Sequence, residues 1–116
     1  MGKIIVEYNG DFWHANPFIY SAESKVGRNY IQNRPILASE KWARDARNIS
    51  RHLEKGYSVL VIWASSMKDP NWVIKAKNFL IQEHKEPEIM NIYGSSFLDK
   101  KTLSQSVPNI LTENRC

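Results

Sequence analysis

Glu7, Asp11 and His14 stand together in one short run, VEYNGDFWH. Two carboxylates and an imidazole suit a hard divalent cation with a proton carrier beside it. Mg2+ takes oxygen ligands and keeps several waters for phosphate chemistry. Cutting a phosphodiester requires an activated water and neutralised charge on the phosphoryl oxygens, which a metal and a general base supply together. The plainer reading of the same residues is a solvated Glu7, ordinary turn chemistry at Asp11 after Gly10, and a packing role for His14.

Phe12 and Trp13 precede that histidine in a polar loop. Exposed aromatics stack on bases or wedge between base steps; aromatics that merely cover a sheet edge are the commoner case. A third group lies in WARDARNISRH. Arg44, Arg47 and Arg51 follow i, i+3 and i+7 spacing and form one basic stripe. Such a stripe can line a phosphate backbone, or can simply be a solvated helix face. Asp45 lies among these arginines and His52 follows it two turns later. Lys68, Lys75 and Lys77 either extend the basic surface or serve solubility.

The elements that must position these residues follow from patterning. KIIVEYN, residues 3–9, is rich in β-branched side chains and predicts a buried strand ending at Gly10. Residues 11–38, punctuated by Pro17, Gly27 and Pro35, read as a long irregular loop. Ser39 suits an N-cap and Glu40 the positive end of a helix. Trp42, Ala46, Ile49 and Leu53 give that helix one apolar stripe, and Gly56 ends it. YSVLVIW, residues 57–63, predicts a second buried strand, parallel to the first after the crossover helix. Trp72, Ala76, Phe79 and Leu80 predict a second helix over 71–84, stopped by Pro87. Residues 89–93 suit a short third strand. The order predicts one α/β domain over 1–93, with 94–116 a polar, poorly packed tail.

Composition sets the bounds. The 116 residues are 42% hydrophobic and 24% charged, which suits one globular core. The net charge of +4 permits phosphate binding without requiring it. No apolar run approaches the roughly 20 residues of a membrane helix, and no signal-peptide pattern opens the chain. The sole cysteine, Cys116, cannot form an internal disulfide. A non-secreted, cytoplasmic protein is the expectation.

NGDFWHANP and, further on, KWARDARNISRHLEKGYSVLVIW together resemble the very-short-patch-repair endonucleases and related phage homing endonucleases. These belong to the PD-(D/E)xK, restriction-endonuclease-like superfamily. Gly10, Phe12, Trp13 and His14 match a Gly-x-aromatic-Trp-His motif. Arg44 and Asp45 match an Arg-Asp pair on the following helix. Gly56, Tyr57, Val59, Leu60, Ile62 and Trp63 match the strand after it. The matched region is residues 3–63, a little over half the chain.

The resemblance implies a compact α/β restriction-endonuclease-like core, a mixed sheet flanked by helices. It implies Mg2+-dependent cleavage of duplex DNA, with Mn2+ as a substitute, in a bacterial or phage-infected cell. By that carry-over His14 is the acid/base group, Asp45 the carboxylate that supports it, and Glu7 a catalytic residue. Glu7 and Asp11 hold the metal. Phe12 and Trp13 wedge into DNA, with Arg44, Arg47 and Arg51 on its backbone. The repair enzymes also carry a structural zinc site of Cys and His; here Asp11 and Ala15 occupy such positions, and no zinc is expected. Ala64 stands where relatives continue to Glu. The family also has an earlier strand with a metal-binding Asp, whereas this chain begins almost at Glu7. The alternatives are therefore a homodimer, or a non-catalytic DNA-binding half-enzyme needing a complementing chain.

Overall fold

The strand Ser58–Trp63 is the centre of the fold. Its sequence, SVLVIW, is almost wholly buried, as a strand covered on both faces must be. In the computed structural model, which describes residues 3–93 and 106–114, the elements run β1 (Ile4–Asn9), β2 (Lys25–Asn29), β3 (Arg34–Leu37), α1 (Ala38–Glu54), β4 (Ser58–Trp63), α2 (Trp72–Ile81) and β5 (Ile89–Ile92), with short 3-10 turns at Ala64–Lys68 and Asn109–Leu111. β1, β4 and β5 form a three-stranded sheet in the order β1-β4-β5. Both pairings are parallel, with Glu7 opposite Val61 and Asn9 opposite Trp63. The parallel arrangement expected of the first two strands therefore holds.

Alternation along β4 separates two apolar clusters. Val59, Val61 and Trp63 pack with Trp42 and Ile49 of α1. Leu60 and Ile62 pack with Ala76, Phe79 and Trp72 of α2. The two helices thus lie on opposite faces, because successive strand side chains point to opposite sides. Among the described residues this is a mixed α/β fold: a parallel sheet and an antiparallel pair, flanked by helices.

Three expectations need correction. The loop over 11–38 is not irregular throughout: β2 and β3 pair antiparallel, with a register shift between Lys25 and Arg28. Gly27 and Pro35 sit inside these strands and hide them from pattern reading. The cap of α1 is Leu37, not Ser39; the Leu37 amide donates to Glu40 Oε2 at 2.9 Å, so the glutamate reaches back from the first turn. The tail is not poorly packed where it is described. Val107 and Leu111 join the α1-side core, and Tyr93 Oη donates to the Leu111 carbonyl. Asn91 Nδ2 donates to the carbonyls of Ile110 and Glu113, both at 3.0 Å. The stretch 94–105 lies outside the described residues.

Gly56 ends α1 as expected, at φ +92°. Its amide donates to the Leu53 carbonyl and that of Tyr57 to the His52 carbonyl, the paired closure of a Schellman motif. α2 stops at Ile81, short of the expected 84. No helix among the described residues is long and apolar enough to cross a membrane.

Candidate active site

β1 leaves the sheet at Asn9, and the chain folds back tightly. His14 N donates to the Gly10 carbonyl, Ala15 N to that of Phe12, and Asn16 N to that of Asp11. Ala15 closes the turn at φ +51°, a strained value for a residue with a Cβ. α1 holds this turn from the side. Trp42 Nε1 donates to the Ala15 carbonyl, and Lys41 Nζ donates to the Trp13 carbonyl at 2.9 Å. The backbone is therefore clamped on both sides of His14.

The histidine ring is fixed as well. Its Nδ1 donates to Asp45 Oδ2 at 2.8 Å. A carboxylate only accepts, so Nδ1 carries the proton and Nε2 is left for proton transfer. Trp63 stands edge-on to the ring with centroids 6.3 Å apart. A cleft of about 280 Å3 opens here, lined by Glu7, Tyr8, Asn9, His14, Asp45 and Asn48. It lies at the C-terminal end of β1, where parallel sheets gather ligands.

Glu7 projects on the α1 face and stands 3.6 Å from His52 Nε2. His52 and Asn48 carry no role in the sequence reading. Their signal is present in the helix period: Lys41, Asp45, Asn48 and His52 recur at i, i+4, i+7 and i+11, one stripe facing β1. Burial draws Lys41 below its ordinary lysine value, with Arg44 adding to that and Asp45 opposing it.

Asp11 is not brought to this cleft. Its Oδ1 accepts from Asn16 Nδ2 at 2.9 Å, and the same amide reaches Ser65 Oγ at 3.3 Å. Ser65 donates onward to the Tyr93 carbonyl at 3.0 Å. Asn16 is fully buried, so Asp11 serves a polar network under the turn. Of the two expected metal ligands, only Glu7 lines the cleft, together with Asp45, Asn9 and Asn48. That chemistry fits a hard cation held by one or two carboxylates and waters. No cluster of three or more His, Cys, Asp or Glu side chains spaced for a metal occurs among the described residues.

Phe12 and Trp13 are 47% and 71% exposed. They meet edge to face at 5.9 Å, and Lys41 Nζ lies 5.7 and 5.5 Å from the two ring centroids. Arg44, Arg47 and Arg51 are exposed along α1. Arg51 donates to Asn48 Oδ1, which ties that end of the stripe to the cleft.

Fold and site together define a mixed α/β protein with a histidine–carboxylate pair at the end of a parallel strand. No protein-family model, curated protein or solved structure matches the chain.

Proposed function

We propose that this chain is a metal-dependent endonuclease acting on duplex DNA, of the restriction-endonuclease-like, repair or homing type. The observation that carries the reading is the His14–Asp45 hydrogen bond at the mouth of a cleft that also holds Glu7. His14 Nε2 takes a proton from the attacking water or returns one to the leaving oxygen. Asp45 positions it by fixing the tautomer and stabilising the imidazolium that forms. Glu7, with the side-chain oxygen of Asn9, would hold Mg2+ or Mn2+. When bound, that ion supplies neutralisation of phosphoryl charge and a more acidic water. Phe12 and Trp13 lie beside the cleft for base contact, and Arg44, Arg47 and Arg51 for the phosphates.

The direct test is plasmid nicking by the purified chain in Mg2+ or Mn2+ against EDTA. Metal-dependent nicking supports the reading. A folded chain that binds DNA but never nicks contradicts it.

One observation favours a second reading. β1 is an edge strand of the sheet among the described residues, and Val6 and Tyr8 on it are 52% and 57% exposed. A strand beside Glu7, from a second copy or a complementing chain, would cover this edge. Nicking that appears only above a threshold protein concentration would select that arrangement.

A further inference from the structure

The β2–β3 hairpin takes no part in the cleft, yet its tip carries two of the most exposed apolar side chains in the structure. Tyr30 is 85% exposed and Ile31 98%. A solvent-facing loop has no folding reason to display an aromatic and a branched aliphatic side by side. The tip is also held in shape. Arg28 Nη2 donates to Asn33 Oδ1 at 2.7 Å and to the Asn33 carbonyl at 3.2 Å. Asn29 Oδ1 accepts from the Gln32 amide at 3.0 Å, and Asn33 turns the chain at φ +53°. Arg34, which pairs with Asn29 beside the tip, donates from Nη1 to Glu40 Oε1 at 2.6 Å and so ties the tip end of β3 back to α1. A rigid arm loses little freedom on binding.

Charge and position indicate the partner. Between residues 25 and 34 the charged side chains are Lys25, Arg28 and Arg34, with no acid. Arg34 shares its charge with Glu40, while Arg28 is bonded only to neutral groups and Lys25 is exposed. The hairpin adjoins the aromatic turn: a Cβ placed on Gly27 would lie 3.7 Å from Lys41 Nζ, the ammonium that also holds the Trp13 carbonyl. From Gly27 to the tip is three to four residues, about 10–13 Å of strand. That length of strand is close to the width of a DNA groove.

We infer that the β2–β3 hairpin is a second DNA-gripping arm, with Tyr30 and Ile31 entering a groove of the duplex beside the cut while Lys25 and Arg28 meet the flanking phosphates. A two-stranded ribbon fits the major groove, and apolar tips wedge against base steps. The inference rests on the DNA reading above and adds a contact outside its cleft.

The test is fluorescence anisotropy of a short labelled DNA duplex in EDTA, so that no cutting intervenes. The variants are Tyr30→Ser/Ile31→Ser, each single change, Lys25→Ala, and Ile81→Ser as a comparator on α2. Ile81 is 72% exposed, so it removes similar apolar surface elsewhere. The double variant is expected to keep the parent's melting temperature and bind about ten-fold or more weakly, the singles falling between. Lys25→Ala should lower the slope of log affinity on log salt by about one. Ile81→Ser should bind like the parent. A double variant within about two-fold of a parent that itself binds DNA overturns the arm and leaves the nuclease reading standing. A hairpin variant that changes self-association in sedimentation but not DNA affinity also overturns it. A parent that does not bind the duplex overturns both.

Discussion

His14 and Asp45 are 31 residues apart in the chain and 2.8 Å apart in space. That contact joins the turn after β1 to the middle of α1, and it sets which imidazole nitrogen is left for chemistry. Replacing the carboxylate by an amide of the same size removes the charge and the obligate acceptor. Asp45→Asn is expected to fold like the parent and to lose about 100-fold or more of any cleavage rate, because the wrong tautomer becomes accessible. Long-range 1H–15N spectra of His14 supply a readout independent of turnover: the parent should show the Nδ1–H form at neutral charge, and Asp45→Asn a mixture. A parent spectrum dominated by Nε2–H would contradict the assignment.

Glu7 and Asp11 should separate cleanly under mutation. Glu7→Gln is expected to weaken Mn2+ binding, measured by titration calorimetry, with little change in melting temperature. Asp11→Ala should do the reverse. It leaves the buried Asn16 amide with only the longer Ser65 contact, at a cost of about 1–3 kcal/mol. Equal loss of metal affinity in both variants would restore Asp11 as a ligand.

Trp42 couples stability to the site. It is fully buried, and its indole donates to the carbonyl of Ala15. Trp42→Phe keeps most of the apolar contact but strips that donor, for an expected loss of about 1–3 kcal/mol in urea denaturation. Trp42→Ala should cost about 3–5 kcal/mol. A Trp42→Phe protein as stable as the parent would show that the indole does not hold the turn.

Three strands of the parallel sheet and both helices are legible in the sequence for physical reasons: β4 is apolar on both faces and the Trp42–Ile49 stripe has helix period. The link between His14 and Asp45 comes from the family resemblance, since the helix pattern alone places Asp45 among arginines. The hairpin was hidden because Val26 is its one fully buried side chain in β2, while Gly27 and Pro35 signal a break. The packing of Leu111 was hidden because its partners, Tyr93 and Asn91, bind its neighbourhood through backbone carbonyls that carry no side-chain pattern. Glu7 and Asp11 are close in sequence, but β1 sends Glu7 toward α1 while the turn after Gly10 sends Asp11 to Asn16.

Tyr93 gives the fold a signature in alkali. Burial, and then the negative charges of Asp45 and Asp11, push its phenol well above the usual value of 10.0. Above that value the unfolded phenol loses its proton while the folded one keeps it. The unfolded state then binds fewer protons, so stability falls as pH rises. The contribution is complete below about pH 10 and is lost through the range above it. Lys41, shifted down, acts in the opposite sense over the same range, and does so in parent and variant alike. The difference between parent and Tyr93→Phe therefore isolates the phenol. The parent's urea midpoint should fall more steeply between about pH 9.5 and 11 than the variant's. Parallel curves would contradict a buried, proton-holding Tyr93.

His14 is proposed to carry the proton in DNA cleavage. The decisive experiment is single-turnover cutting of a duplex at saturating protein, in Mn2+, by the parent and His14→Ala. Metal-dependent cutting by the parent is expected, with a loss of about 100-fold or more in His14→Ala at unchanged DNA affinity. A His14→Ala protein that cuts at the parent's rate would contradict it.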